Sequence, residues 1–250
     1  MAERRRILIT GGSSGIGLAV ALRFAEGGAR IVLNGRDAAR GEAARRRVAE
    51  RGADAHFVAA DISTAAGAAA LLAQADAVLG GLDVLVNAAG GDNIPALLHD
   101  TSLAEMDAIV RSWLLATMYA CRLALPHMED GGVIVNVASD AAKVPTPGES
   151  VIGAAMAGIA MFSRTLAVEA KRRRIRVHAV TPSLVSGTLT TARITSGGFS
   201  ARLFEKAEAA AALGVASPDD VAATIEFLAS PSAARMTGQV ISVNGGISAG

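Results

Sequence analysis

Cysteine and aromatic side chains are both scarce in this chain. Cys121 is its single cysteine, which rules out a disulfide within the chain, and no grouping of Cys and His has the spacing of a zinc site, so no metal is expected. Aromatic residues make up 3% of the sequence, which argues against a stacking platform for large planar ligands. These absences are typical of a protein from a reducing cytoplasm, and a cytoplasmic location is predicted.

An excess of charge and a long apolar run are absent as well. The 24 basic and 23 acidic residues leave a net charge of +1, which is too little to hold a nucleic acid backbone. The basic N-terminal run is followed by only a short apolar stretch before two glycines, unlike a signal peptide. The longest uncharged apolar stretch, Ser150 to Ser163, is shorter than the ~18 residues of a membrane helix. We therefore expect neither a nucleic acid nor a membrane as partner.

Short β-branched and apolar runs alternate with longer alanine-rich stretches along the chain. This alternation is typical of a parallel sheet covered by helices on both faces. No linker and no repeat divides the sequence, so residues 1–250 are predicted to form one α/β domain, a Rossmann-like doubly wound parallel sheet of about seven strands. The predicted strands are RILIT, RIVLN, AHFVA, LDVLVN, GVIVNV, IRVHAVT and QVISVN. The predicted helices cover residues 15–26, 38–51, 64–79, 103–128, 149–172 and 218–229, the last with a Ser217 cap and Pro218 in its first turn.

Residues 184–216 depart from this alternation. They are rich in Ser, Thr and Gly and follow the end of the sixth predicted strand, where open parallel sheets bind their ligands. We interpret them as a mobile lid over the substrate.

The first predicted strand ends in a glycine turn. Gly11, Gly15 and Gly17 have the spacing Gly-x-x-x-Gly-x-Gly, and a helix is predicted to follow directly. Such a turn brings backbone amides and a helix N-terminus together, which suits the pyrophosphate of a dinucleotide. The same spacing can also serve only the close packing of a helix on a strand, but the strand-turn-helix context favours a dinucleotide site.

The end of the second strand carries no carboxylate. An Asp or Glu there would bind the ribose 2′-hydroxyl of NAD, whereas Arg36, about 20 residues after Gly17, can pair with the 2′-phosphate of NADP. Arg36 could also be an ordinary surface arginine. We expect NADP(H) to be favoured over NAD(H).

Further motifs follow the glycine turn in order. They are Asp61-Ile62, the strand end Asn87-Ala88-Ala89-Gly90, the helix end at residues 125–128, and the strand and turn at residues 238–246. Together they resemble the single-domain branch of the short-chain dehydrogenases/reductases, from Ile7 to Gly246. The resemblance implies a nicotinamide cofactor, and it implies oligomer contacts through the helices at residues 103–128 and 149–172. The implied cofactor-binding residues are Gly11, Ser13, Ser14, Gly15, Ile16, Gly17, Asn34, Arg36, Asp61, Ile62, Asn87, Ala88, Gly90, Pro182, Val185 and Thr188.

Members of this family reduce carbonyls or oxidise alcohols with a Ser/Tyr/Lys set that an Asn usually joins. The tyrosine exchanges the substrate proton, the lysine charge lowers the tyrosine pKa, and the serine holds the substrate oxygen. In the register anchored on VIVNVAS, Ser139 occupies the serine position, but Ile152 and Met156 occupy the tyrosine and lysine positions, and Trp113 occupies that of the asparagine. Neither Ile nor Met has an exchangeable proton, so the ordinary relay is not expected to run.

Four other side chains are candidates to replace the missing acid. Asp140 and Lys143 follow Ser139 on a loop that faces substrate in this family, although such residues are more often solvated loop charges. Tyr119 is the only tyrosine, and we interpret it as a core or interface aromatic. His99 is the one histidine on a plausible active-site loop, and the histidines form no triad pattern.

Two main hypotheses for function follow from this degenerate site. In the first, the protein binds NADP(H) but catalyses weakly or not at all, as a subunit of a homo-oligomer or beside an active member of the family. In the second, it is an active NADPH-dependent oxidoreductase that reduces a carbonyl or an activated alkene with water or an atypical group as proton donor. A ligand-binding or cofactor-sensing protein is a third class without a specific feature in its support, and the sequence does not identify the small-molecule substrate.

Overall fold

The computed structural model describes residues 4–195 and 198–249, which form a seven-stranded parallel sheet covered by helices. The strands are β1 (Arg6–Thr10), β2 (Arg30–Gly35), β3 (Asp54–Ala59), β4 (Leu82–Asn87), β5 (Met128–Val137), β6 (Arg176–Pro182) and β7 (Val240–Val243). Their order in the sheet is β3-β2-β1-β4-β5-β6-β7, and every neighbouring pair is parallel. The chain thus winds outward from β1 in both directions, as predicted.

The helices lie on both faces of this sheet. In the described part of the chain they are α1 (Gly15–Glu26), α2 (Ala38–Glu50), α3 (Ala65–Leu79), α4 (Leu103–Val110), α5 (Ala116–Ala124), α6 (Ser150–Ala170), α7 (Leu189–Ile194), α8 (Gly198–Ala210) and α9 (Pro218–Ala229). Short 3₁₀ turns lie at Leu98–Asp100, Leu125–His127, Asp140–Ala142, Lys171–Arg173 and Pro231–Ala233. The sequence predicted one helix over residues 103–128, whereas a π-helical turn at Arg111–Leu115 separates α4 from α5.

Neighbouring residues of a strand face two different hydrophobic layers. Ile7 and Ile9 of β1 pack with α1, α2 and α9, whereas Leu8 packs with α3, α5 and α6, and all three side chains are fully buried. Because both faces of the sheet are covered, its central strands are continuous apolar runs rather than alternating ones. This explains why the strands could be recognised in the sequence.

Helix starts coincide with capping residues. The Ser217 hydroxyl accepts a hydrogen bond from the Asp220 amide, and the Asp220 carboxylate accepts one from the Ser217 amide, so the predicted start of α9 is confirmed. Ser102 and Glu105 form the same reciprocal pair at the start of α4.

The described residues of the predicted lid form two helices, α7 and α8. Val185 and Ala216 form a bridge that brings the ends of the segment together. The Phe199 ring lies so close to the loop before α6 that a Cβ at Gly148 would be 2.6 Å from it. Ser196 and Gly197 of this segment lie outside the described residues, and its mobility stays a prediction.

Two helical segments are long and apolar enough to cross a membrane, by length and composition alone. They are Leu103–His127 and Ser150–Arg173. The expectation that no segment would qualify was wrong by this criterion, because it counted uninterrupted apolar runs and the criterion tolerates a few charges. Both segments belong to the layered domain, where Cys121 of α5 and Leu166 of α6 are buried against the sheet. That packing is typical of core helices, and the cytoplasmic location stays a prediction.

Candidate active site

A cleft of about 650 Å³ lies at the carboxyl ends of the strands. Ligands of doubly wound folds bind at this edge, beside the strand where the winding reverses, which is β1 in this sheet. Every predicted cofactor-binding residue except Gly17 and Asn87 lines the cleft. The sheet topology therefore brings together residues from five strand ends and from the lid.

Two glycines of the glycine turn lie against neighbouring backbone carbonyl groups. Gly11 has a φ of +66°, and a Cβ there would be 2.5 Å from the Ala88 carbonyl oxygen. A Cβ at Gly17 would be 2.4 Å from the Gly11 carbonyl oxygen, so Gly17 serves the packing of α1 on the turn. The Ser14 side chain makes no capping hydrogen bond, which leaves the first amides of α1 without a side-chain acceptor. This end of the cleft fits a pyrophosphate.

The region expected to bind adenosine is built from the ends of β2 and β3. Asn34 is 1% exposed, and its side-chain nitrogen donates to the carbonyl oxygens of Val58 at 3.2 Å and Ala60 at 3.1 Å. Asn34 therefore ties the two strands together beneath the cleft. Asp61 and the buried Ile62 both line the cleft, and their contact with an adenine stays a prediction.

Arg36 is engaged in an ion pair. Its Nη2 lies 2.6 Å from Oδ2 of Asp92, and Arg193 of α7 contacts Oδ1 of the same carboxylate. Burial alone would raise the pKa of Asp92, but hydrogen bonds from the two arginines hold it below its usual value. Arg40 of α2 also lines the cleft, which the sequence did not predict. A 2′-phosphate here would meet Arg36 and Arg40 and would compete with Asp92 for Arg36.

A chain of buried polar side chains crosses the sheet beneath the cleft. The Asn87 side-chain nitrogen donates to Oδ1 of Asn136 at 2.9 Å, and the Asn136 nitrogen donates to Oγ of Ser163 at 2.9 Å. Thr10 donates to Oδ1 of Asn87 at 3.3 Å. The structure thus places the Asn87 side chain in a network that joins β1, β4, β5 and α6, and not on the cleft wall predicted for it.

The residues predicted at the nicotinamide end lie where β6 passes into the lid. Pro182 is the last residue of β6, and Val185 is buried in the bridge to Ala216. The Thr188 hydroxyl accepts a hydrogen bond from the Thr191 amide and so begins α7. All three predicted residues line the cleft, and Thr188 also packs near the glycine turn.

The four predicted catalytic positions meet on one wall of the cleft. Ile152 and Met156 share a face of α6, since residues four apart lie one above the other on a helix. Met156 is 1% exposed and packs in a small apolar cluster that includes Ile152 and Trp113. Ser139 is half-buried on the same wall, and its hydroxyl accepts a hydrogen bond from the Ala141 amide. The register predicted from the sequence therefore brings these side chains together.

Trp113 belongs to the π-helical turn between α4 and α5. Its ring lies against Gly90, where a Cβ would be 2.3 Å from the indole Cη2. The indole Nε1 is buried and has no acceptor among the described residues. Trp113 thus narrows the cleft and leaves one donor there that a ligand could satisfy.

Comparison with known proteins settles the family. A family model described as enoyl-(acyl carrier protein) reductase matches residues 11–248. The chain belongs to the short-chain dehydrogenase/reductase family. It is 32% identical over 248 residues to a 3-oxoacyl-(acyl-carrier-protein) reductase of Chlamydia pneumoniae, covering 97% of this chain and 96% of the relative. It is 35% identical to the cis-4-hydroxycyclohexanecarboxylate dehydrogenase of Sinomonas cyclohexanicum, covering 99% and 98% of the two chains.

Solved structures agree with this assignment. A short-chain dehydrogenase of Burkholderia cenocepacia in complex with NADP matches with a TM-score of 0.90 at 30% identity, covering 98% of each chain. A dehydrogenase/reductase of Sinorhizobium meliloti matches with the same TM-score at 31% identity. The family binds a nicotinamide cofactor, and the cleft of this short-chain dehydrogenase/reductase has the glycine turn and the helix N-terminus to hold one.

The substitute groups considered from the sequence of this short-chain dehydrogenase/reductase lie in different places. Asp140 lines the cleft, but its Oδ2 accepts hydrogen bonds from Asn244 and Ser248, which tie it to the C-terminal turn. Lys143 hydrogen-bonds Ser242 and does not line the cleft. Tyr119 belongs to α5 and packs against the hydrophobic layer that includes α3. Neither Tyr119 nor the exposed His99 lines the cleft. Of these four candidates, only Asp140 faces the cleft.

Sequence reasoning missed two acidic residues of the cleft, Asp92 and Glu149. Glu149 stands at the N-cap position of α6, one turn before Ile152, and lines the cleft. Burial raises the pKa of its carboxyl to about 7, against a hydrogen bond with the Thr146 side chain that lowers it. The available signal was its spacing of three and seven residues from Ile152 and Met156, which places all three on one helix face.

Proposed function

We propose that this short-chain dehydrogenase/reductase binds NADP(H) but reduces simple ketones and aldehydes weakly or not at all, because the tyrosine–lysine relay of its family is absent. The observation that carries the proposal is the cleft wall itself, where Ile152 and Met156 stand beside Ser139. Loss of a positioned general acid lowers a rate about 10²- to 10⁴-fold. The cofactor side of the cleft keeps its glycine turn, so binding and turnover are expected to separate.

The NADP preference is supported by the arginines of the cleft. Arg36 and Arg40 both line the end expected to hold the adenosine ribose. Asp37 lies two residues after β2, but it pairs with Arg40 at 3.3 Å and does not line the cleft. The similar Burkholderia cenocepacia protein was solved with NADP. When bound, the cofactor supplies or accepts the hydride, while the residues of this chain hold its pyrophosphate and ribose.

Titration of the purified protein with NADPH and NADH, followed by a panel of ketones and aldehydes at saturating cofactor, tests this proposal. We expect NADPH to bind ~10-fold tighter than NADH, which is the effect of one charge-assisted pair. We also expect turnover far below that of a relative with the intact catalytic set. Robust wild-type turnover that falls sharply in Ser139→Ala would contradict the weak-catalysis proposal, and failure to bind either cofactor would contradict the binding proposal.

The proposal also includes assembly of this chain into an oligomer. The two long helical segments carry exposed apolar side chains, among them Leu103, Met161 and Val168, which a partner surface would cover. We infer that the chain assembles with itself or with an active member of its family. Light scattering of the pure protein, and co-purification with a co-expressed active paralogue, measure this assembly, and a monomer under both conditions would contradict it.

The lid assignment of residues 184–216 also belongs to the proposal. Side chains of α7 and α8, including Leu189, Phe204 and Lys206, line the cleft. We expect this segment to lose hydrogen-exchange protection without cofactor and to gain it on NADPH binding. Unchanged exchange on cofactor binding would argue against a lid.

An active oxidoreductase with an atypical proton donor is the second candidate function. One observation favours it, namely the presence of the Glu149 carboxyl on the same wall as Ile152 and Met156.

A further inference from the structure

Glu149 holds a special position among the acidic residues that line the cleft. It precedes Ile152 by three residues and Met156 by seven, so α6 presents it on the face that carries the implied catalytic positions. Its backbone starts the helix, since the Gly153 amide donates to its carbonyl oxygen. The backbone of Glu149 is thus fixed at the helix start, three residues before the place where the family has its tyrosine.

The other cleft carboxylates are already engaged. Asp92 pairs with Arg36 and Arg193, and Asp61 accepts a hydrogen bond from the backbone of its own turn. Asp140 accepts hydrogen bonds from Asn244 and Ser248 at Oδ2, and its buried Oδ1 lies 4.0 Å from the Lys143 ammonium. For Glu149 the only partner found among the described residues is the Thr146 side chain. The other charged and titratable groups considered line the cleft, line the groove beside Gly148, or lie on the loop between β5 and α6: Arg36, Arg40, Asp61, Asp92, Glu105, Asp140, Lys143, Arg193 and Lys206.

None of these groups forms an ion pair with Glu149, and none contributes to its pKa. Burial is the dominant influence, because a carboxylate loses hydration in the cleft without gaining a cation. A carboxylic acid that keeps its proton near neutral pH is the property that a general acid requires. Glu149 therefore has both a position on the cleft and a protonation state that suit a general acid.

We propose that Glu149 supplies and recovers the substrate proton in this cleft, in place of the family's tyrosine. The proposal rests on the proposed cofactor binding and identifies the donor for the second candidate function. In the reduction of a C=O or C=N bond, the substrate carbon accepts a hydride from the bound nicotinamide while the heteroatom takes the proton as the Glu149 O–H bond breaks. The product is an alcohol or an amine, and solvent returns a proton to the carboxylate. Oxidation follows the reverse course.

The lack of charge at Met156 affects which substrates this cleft accepts. Where the family has a lysine charge, this chain has a neutral thioether, so a protonated imine would not be repelled there. The Glu149 carboxylate would then pair with the cationic nitrogen. The test therefore compares two substrates, a cyclic ketone and the cyclic imine of the same ring size.

The first measurement needs no cofactor and no activity. In protein labelled with ¹³C at the glutamate side-chain carboxyl, we expect one resonance to titrate near pH 7 and to be missing in Glu149→Gln. The matched control is Glu50→Gln, an exposed residue at the end of α2, which should leave that resonance in place. Titration of the Glu149 carboxyl near its ordinary value of 4.5 overturns the proposal.

The second measurement is turnover of the ketone and the imine at saturating NADPH from pH 5 to 9. We expect wild-type turnover to fall as pH rises above 7, Glu149→Gln to lose at least ~100-fold in kcat, and Glu149→Asp to keep part of the rate. Glu50→Gln should match wild type. Equal turnover of wild type and Glu149→Gln on the accepted substrate overturns the proposal, and so does absence of wild-type turnover on both arms with NADPH bound.

Direct titration with NADPH separates the two proposals. If wild type and Glu149→Gln both bind NADPH with similar affinity, any difference in turnover belongs to the proton step. If wild type does not bind it, the proposed function fails, and the carboxyl titration still decides whether Glu149 holds a proton.

Discussion

Introducing the tyrosine and lysine of the family is the sharpest test of the proposal that this cleft catalyses weakly or not at all. The perturbation is Ile152→Tyr with Met156→Lys, two changes on one face of α6 that border the same cleft as Ser139. The new tyrosine would provide a phenol proton, and the new lysine would lower the tyrosine pKa from about 10 toward neutrality. We expect ketone reduction to rise in the double variant.

The structure sets the size of the gain. A positioned acid is worth about 10²- to 10⁴-fold, or roughly 3–5 kcal/mol of barrier. Met156 is 1% exposed among apolar neighbours, so a lysine there would be partly desolvated, which lowers its own pKa and weakens its effect on the tyrosine. We therefore expect the double variant to reach the lower end of this range and Ile152→Tyr alone to gain less.

Trp113 limits this rescue. Its indole fills the space against Gly90 where the family places an asparagine, so adding Trp113→Asn should raise the gain further. Removing a large aromatic side chain also costs about 3–5 kcal/mol of stability, and the triple variant should melt well below wild type.

The assay is initial-rate ketone reduction at saturating NADPH, with the melting temperature and the NADPH affinity of each variant measured beside it. The reasoning is refuted if the double and triple variants bind NADPH but reduce the ketone no faster than wild type. That result would show that the cleft is not shaped for hydride transfer to a ketone.

Three further outcomes follow from single contacts. Arg36→Asp should narrow or reverse the preference for NADPH over NADH, while Asp92→Asn should tighten NADPH binding because it releases Arg36. Fluorescence titration measures both affinities. An unchanged ratio of NADPH to NADH affinity in both variants would count against the 2′-phosphate assignment. Gly17→Ala should destabilise the protein by about 1–3 kcal/mol, since its Cβ would lie 2.4 Å from the Gly11 carbonyl oxygen, and urea unfolding measures the loss. The raised pKa of Glu149 favours folding at low pH, and this contribution disappears as pH rises from 4.5 to about 7. The free energy of unfolding of Glu149→Gln should therefore match that of wild type near pH 4.5 and exceed it by up to roughly 3 kcal/mol above pH 7. A difference that does not change with pH would refute this.

The strands and long helices could be predicted because their signals are local. Apolar runs such as that around Ile7 mark strands buried on both faces, and Ser217 with Pro218 marks a helix start within four residues. The π-helical turn at Arg111–Leu115 could not be predicted in this way. Its pattern differs from an α-helix by one residue, and the tight contact of Trp113 with a distant glycine accompanies it.

Residue types at strand ends predicted which positions border the cleft but not which atoms face it. Asn34 lines the cleft as expected, but its side-chain nitrogen bonds to the neighbouring strand. Asn87 does not line the cleft, and its side-chain amide bonds within the polar network. A buried amide must satisfy its donors, and only the packed sheet determines where an acceptor lies. The same holds for Arg36, whose partner Asp92 is 56 residues away along the chain.

By itself, the sequence determined the doubly wound fold and the glycine turn, because hydrophobic periodicity and turn chemistry are properties of neighbouring residues. Motif spacing likewise predicts the register in which Ile152 and Met156 take the tyrosine and lysine positions of the family. The tertiary structure alone decided that Glu149 lies on the same cleft wall with its carboxyl partly buried and without a cation. Desolvation depends on everything that surrounds a group in space, and in this cleft that surrounding is assembled from loops far apart in the chain.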